Sequence, residues 1–272
     1  PNKETSYTYE GGTAWHYDDN ELTKPKHRTW SQWRGYRTVK VRTGGEDVTN
    51  SLTTSTYLRG MDGDHLPSGT RSVSVTDTQG TTVVEAERTD GFLLETISYN
   101  GVGGPEIGGT TYTPWVSAAT ATNGSDTARL RGTAVESKRT LLGDGTTYHR
   151  TRINTVFNAK TGLPTRVEDL GDTATATDDL CTRMTYVQNT SANLLTPVAR
   201  QEKVSVACGA TTERPKHVVS DTRTYYDSAT SLTATPTRGL ATKTEEVSSY
   251  TSAGAVQAFI EAVRLRNTVG ST

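Results

Sequence analysis

Residues 157–172 read FNAKTGLPTRVEDLGD. A string of Thr alternating with larger residues leads into them. An aromatic and a small polar residue, Phe157-Asn158, open the stretch. Gly162 follows, Thr165-Arg166-Val167-Glu168 alternates again, and Asp169 to Asp172 close around Gly171. Alternation is the period of a strand, and Gly beside Asn or Asp supplies the positive-φ positions that tight turns need. The stretch therefore predicts strand, turn, strand, turn, a hairpin too small to hold a core alone.

Working outward, the same grammar recurs. Gly143-Asp144-Gly145 separates two alternating runs, Ala128 to Leu142 and Thr146 to Phe157. Arg71 to Thr76 and Thr81 to Glu87 flank a turn at Asp77 to Gly80. Further strands are predicted over Arg37–Arg42, residues 50–60, residues 92–100, Val198–Val206, Val218–Tyr226 and Leu240–Tyr250. Gly101 to Gly109 reads as a glycine-rich loop, with Thr111 to Val116 extended after it. The tail from Ala255 carries two patterns. Val256, Phe259, Ile260 and Val263 have helical spacing, while Val263 to Arg266 alternates. The expected class is all-β: stacked hairpins forming a curved sheet or part of a β shell.

Composition agrees. Roughly a fifth of the residues are Thr, which is β-branched and suits the exposed face of a strand. Only 32% are hydrophobic, so the core is thin. The 29 basic and 30 acidic residues are interspersed, a solvated mixed-sign surface that gives no reason to expect a nucleic-acid partner or an anionic membrane. No apolar run reaches 18 residues, so no membrane-spanning helix is predicted. The chain opens on strand-like sequence, Thr5 to Tyr9, as a piece of a longer polypeptide would.

Two segments are distinguished: an aromatic-rich β segment over 1–50, and repeated hairpins over 51–272, read as one continuous unit. The first holds Trp15, Trp30, Trp33 and Tyr36 with Tyr7, Tyr9 and Tyr17. Exposed Trp and Tyr stack on sugar rings and peptides, which makes Trp15, Trp30, Trp33 and Tyr36 the candidate ligand-binding residues. The competing reading makes these aromatics the main core or a plug sealing a shell, and it is the weightier one, since a chain with three Phe must find core mass somewhere.

Catalytic and metal signatures are not found. His16, His27, His65, His149 and His217 fall in no His-x-x-x-His spacing, and no Gly-x-Ser-x-Gly elbow occurs. Asp62-Gly63-Asp64 and Asp178-Asp179 lack the twelve-residue calcium-loop pattern and read as turns. Glu245-Glu246 falls on opposite strand faces. The expectation is a chain without catalytic residues, metal or cofactor. Cys181 and Cys208 lie in alternating surroundings and pair as a disulfide between neighbouring strands or stay as separate thiols. The first is favoured because a thin-cored protein gains most from a staple, and it places the chain in an oxidising compartment.

Thr-rich strand, aromatic, small polar residue, loop and charged strand recur at Ser55-Thr56-Tyr57, Ile97-Ser98-Tyr99-Asn100, Thr155-Val156-Phe157-Asn158 and Arg223-Thr224-Tyr225-Tyr226-Asp227. This template resembles the RHS, or YD-repeat, family. Phe157-Asn158 through Gly162-Leu163-Pro164-Thr165 and Asp169-Leu170-Gly171 matches its motif with Phe-Asn for Tyr-Asp. Tyr226-Asp227 is a literal Tyr-Asp step with the Gly displaced. Trp30-Ser31-Gln32-Trp33-Arg34-Gly35-Tyr36 and Leu58-Arg59-Gly60-Met61-Asp62-Gly63-Asp64 look like the degenerate repeat region of large actinobacterial RHS proteins. The resemblance implies a β ribbon spiralling into a hollow shell. Its role would be non-catalytic: enclosing a C-terminal effector, as in polymorphic toxins, or serving as a secreted or cell-surface scaffold. The partner is then the remainder of the same polypeptide. The rival function is a carbohydrate-binding module using the exposed Trp and Tyr, with a glycan as partner.

Overall fold

The computed structural model describes residues 3–45, 48–124 and 126–263. The chain is all-β, and its described residues hold no α-helix, only two single 3-10 turns at Pro25–His27 and Glu87–Thr89. Among the described residues no helix is long and apolar enough to cross a membrane. It divides into two compact units, Pro1–Arg150 and Thr151–Thr272.

In the first unit β1 (Glu4–Tyr17), β2 (Trp30–Gly45) and β3 (Val48–Tyr57) form an antiparallel meander. A long excursion follows, carrying the short hairpin of β4 (Ser74–Thr76) and β5 (Thr82–Val84). The chain then returns as β6 (Leu93–Tyr99) beside β3 and β7 (Glu106–Val116) beside β6. After a small hairpin, β8 (Ala121–Asn123) with β9 (Asp126–Ala128), β10 (Arg131–Leu141) pairs with β7. The apolar core is small: Leu58, Val75 and Leu94, with Val83 and Phe92 against them.

The second unit is a plain antiparallel meander of β11 (Tyr148–Phe157), β12 (Pro164–Asp172), β13 (Leu180–Tyr186), β14 (Val198–Val204), β15 (Val218–Tyr226), β16 (Ala241–Tyr250) and β17 (Val256–Val263). The aromatic–polar step works the same way at two of its loops. Asn158 ends β11 and accepts hydrogen bonds from the Lys160 and Thr161 amides at 2.9 and 3.2 Å. Asp227 ends β15 and accepts from the amides of Thr237, Arg238, Gly239 and Leu240 at 2.7–3.1 Å. Burial raises the Asp227 carboxyl, and the four amides more than reverse this and hold it below its ordinary value. One side chain thus satisfies the amides of a loop that has no ladder of its own.

Three expectations are corrected, and the open choice at the tail is resolved. β12 runs on to Asp172, so Gly171 is a bulge within the pair, where the register shifts between Thr151 and Ile153, and not the centre of a turn. The loop after Tyr99 ends by Pro105, and Gly108 and Gly109 lie inside β7. The tail up to Val263 is strand, not helix; Arg264 to Arg266 lie outside the described residues. The return after Gly80 is only three residues long, Thr82–Val84, and Glu87 begins a 3-10 turn.

One face of the second unit is ionic where a hydrophobic face is usual. Strand register sets like charges opposite each other: Glu202 across from Asp221, Arg200 from Arg223, Glu245 from Glu261. The conflict is resolved diagonally and along the strands. Both Arg200 guanidinium arms donate to Asp221 at 2.7 Å, and Arg200 also meets Glu202 at 3.0 Å. Lys243 bridges Glu245 and Glu261 at 2.7 and 3.5 Å. Arg223 and Lys243 also lie 5.0 Å over the rings of Phe259 and Tyr225. Asp221, Glu202 and Glu245 are all buried.

Candidate functional site

The β1–β2 hairpin builds the aromatic surface. On β1 the aromatics fall at odd positions, Tyr7, Tyr9, Trp15 and Tyr17, as a strand face requires. On β2 they fall three apart, at 30, 33 and 36, which would alternate faces in a regular strand. Register shifts between Glu10 and Thr13, Ala14 and Trp15, and His16 and Tyr17 restore them to one side. Trp15 then stands opposite Trp33, and Tyr17 opposite Trp30. Tyr9, Tyr36, Trp33 and Trp15 form a continuous run with ring centroids 4.9, 5.6 and 4.9 Å apart. Tyr17, Trp30 and His65 form a second cluster at 4.4–5.9 Å.

These aromatics are not the core. Trp15, Trp30 and Trp33 are 46%, 37% and 49% exposed, and Tyr36 is half-buried. The alternate residues Ala14 and His16 take the covered side instead. β1 is the edge strand of the first unit and β2 lies next to it.

The excursion, unnoticed in the sequence as part of a site, supplies the rest. Trp30 Nε1 donates to the His65 carbonyl at 3.0 Å, and the Tyr17 amide donates to Asp64 at 2.9 Å. Glu85, fully buried, draws in Arg37 at 3.0 Å, Arg59 Nε at 3.4 Å and the Arg59 amide. Arg59 Nη1 also donates to the Gly11 and Gly12 carbonyls at 3.3 Å. A cleft of about 550 Å³ opens here, with Trp15, Trp30, Met61, Leu66, Arg59 and Arg71 among its walls.

The other sequence candidates are placed as follows. Asp64 is enclosed by His16 at 3.6 Å and Arg71 at 3.4 Å, and Asp62 accepts from the Val73 amide. Asp178 accepts from the Asp172 amide, and burial together with Asp178, Glu168 and Asp169 holds the Asp179 carboxyl above its ordinary value. Among the described residues no three His, Cys, Asp or Glu side chains converge on a metal position. Glu245 is buried and Glu246 exposed, so the two do point apart.

Cys181 and Cys208 are joined, with Cα atoms 4.9 Å apart and a sequence separation of 27. Cys181 is buried on β13 and Cys208 lies in the 205–217 loop. The Cys208 amide donates to Glu168 at 2.8 Å and its carbonyl accepts from Arg183 at 3.1 Å, so the loop is pinned to β12 and β13. Closing a loop of this length stabilises by about 3–4 kcal/mol on the chain-entropy account. Urea unfolding with and without reductant is expected to show that loss in the second unit, and intact mass after alkylation without reductant is expected to show no added label. Two labelled thiols would remove the case for an oxidising compartment.

No family model matches the chain, and no curated protein does. Among solved structures it is similar to the crystal structure of TcdB2-TccC3, with a TM-score of 0.58 and 11% identity. The match covers 90% of this chain and 15% of that one. At that identity the likeness is one of fold.

Proposed function

We propose that the chain is a non-catalytic scaffold segment of a larger RHS-type polypeptide, secreted or displayed at the cell surface, that encloses or presents another domain. The observation that carries this is the fold likeness to TcdB2-TccC3 over nine-tenths of the chain but only 15% of that protein. The capped hairpin loops at Asn158 and Asp227 and the disulfide support the same reading. The test is limited proteolysis of the parent polypeptide. A flanking domain held by this segment resists protease and stays bound after the connecting loops are nicked. A flanking domain that is digested as fast as it is alone overturns the proposal.

The exposed Trp15, Trp30 and Trp33 beside an open cleft favour a second reading, a carbohydrate-binding surface. Saturable quenching of tryptophan fluorescence by an oligosaccharide, lost in Trp30→Ala, is its signature.

A further inference from the structure

We propose that the cleft between the Trp15 and Trp30 rings and the Arg59 and Arg71 guanidinium groups binds an acidic saccharide, a sugar ring bearing a carboxylate. This rests on the carbohydrate reading and gives it a chemical class.

The walls divide the work. Trp15 and Trp30 offer indole surface, and Met61, Leu66, Pro67 and Val73 complete an apolar bed. Flat aromatic surface of that kind takes the C–H face of a pyranose, and the Trp30 ring is held in place for it by its own Nε1–H, which is given to the His65 carbonyl. The volume, about 550 Å³, lies within the range of ordinary small-ligand clefts. The charged residues lining it are two arginines, and no carboxylate is among them.

The arginines are not equivalent. Arg59 is committed, with Glu85 on its Nε and the Gly11 and Gly12 carbonyls on Nη1. It fixes the positive potential of the floor. Arg71 is less committed. Its side chain is 38% exposed, and its ion-pair contact among the described residues is with Asp64 at 3.4 Å. Its Nε is buried and has no hydrogen-bond acceptor among them. Three guanidinium groups, of Arg37, Arg59 and Arg71, gather around the two buried carboxylates of Glu85 and Asp64. Burial and the Arg37 and Arg71 charges hold the Arg59 guanidinium below its ordinary value in spite of Glu85. An incoming carboxylate relieves that crowding and finds in Arg71 a planar donor fork. A neutral sugar gains the stacking and none of this; an acidic peptide gains the charge and little of the stacking.

The full chain is titrated by tryptophan fluorescence with trigalacturonic acid, with maltotriose and with a hexaglutamate peptide. Trigalacturonic acid is expected to bind at least tenfold more tightly than either. Arg71→Gln, its far-UV spectrum unchanged, is expected to lose that advantage while keeping maltotriose affinity. In the unmodified chain, 0.5 M NaCl is expected to weaken trigalacturonic acid and to leave maltotriose unchanged. Equal binding of the two sugars overturns the acidic preference and leaves the carbohydrate reading standing. Binding of neither sugar overturns both, and hexaglutamate binding as tightly as trigalacturonic acid overturns the saccharide class.

Discussion

Arg139→Met is expected to destabilise the first unit by about 3–5 kcal/mol, the usual cost of stranding a buried charge. Arg139 and Glu95 are both 3% exposed at the side chain, and Arg139 donates to Glu95 at 3.1 Å. A second arm reaches Glu106, and Thr78 Oγ1 accepts from Arg139 at 3.0 Å. Arg139 lies on β10 and Glu95 on β6, with β7 between them, so the side chain must cross a strand. It does so over Gly109, its register partner. A Cβ there would lie 2.8 Å from the guanidinium and 3.0 Å from the Thr96 carbonyl. Gly109→Ala is therefore expected to destabilise in the same direction by about 1–3 kcal/mol, through displacement of the arginine. The four Trp, at 15, 30, 33 and 115, all lie in the first unit, so tryptophan fluorescence during urea unfolding reads this unit alone. A loss under about 1 kcal/mol for Arg139→Met would be too small for a stranded Glu95.

Asp221→Ala is expected to cost the second unit a similar amount, about 3–5 kcal/mol. Asp221 is fully buried and serves Arg200, Arg223 and Tyr250. Without it Arg200 and Arg223 still face each other across the strands, and only Glu202 remains on Arg200. The same group sets the acid limit. Burial alone would raise the Asp221 carboxyl, but the Arg200 hydrogen bonds and the Arg200 and Arg223 charges hold it below its ordinary 3.8. Glu245 is likewise raised by burial and held below 4.5 by Lys243 and Tyr225. Folded values below unfolded ones mean the stabilisation is fully present above those ordinary values and is lost as pH falls through the lower, folded ones. Hydrogen exchange of peptides from β14–β16 is expected to stay slow from neutral pH to near 4, once corrected for the intrinsic pH dependence, and to quicken below. Asp221→Asn should show the faster exchange already at neutral pH. Exchange indifferent to both acid and Asn would mean that the charge on Asp221 does not hold the sheet.

Much of this fold is legible in the residues. Thr alternation marks the strands, Asp144-Gly145 and Asn158 through Gly162 mark turns that form, and the Cys181–Cys208 pairing follows from a thin core. What is not legible has a common physical cause: it depends on register. Trp30, Trp33 and Tyr36 share a face only because bulges intervene, and a bulge leaves no mark that distinguishes Gly35 from a turn glycine. Gly108 and Gly109 read as loop because their role, passing Arg139 overhead, belongs to a neighbouring strand. Arg59 and Arg71 are ordinary charges until the excursion after β3 folds back onto the aromatic hairpin. By mass the aromatics read as core, yet the small core is Leu58, Val75 and Leu94, and much of the remaining interior is ionic.

That ionic face sets how the protein answers to temperature. Heat capacity rises on unfolding because apolar surface meets water, and falls where polar surface does. A sheet that covers Glu202, Asp221 and Glu245 alongside Ala199, Val204 and Tyr225 exposes both kinds together, so its heat-capacity increment is expected below the usual ~12–15 cal/mol/K per residue. The stability curve is correspondingly flat, with little loss on cooling. The hydration that opposes buried ion pairs also weakens as temperature rises. A meander of this kind is expected to show a flatter stability profile than a protein resting on an oily core.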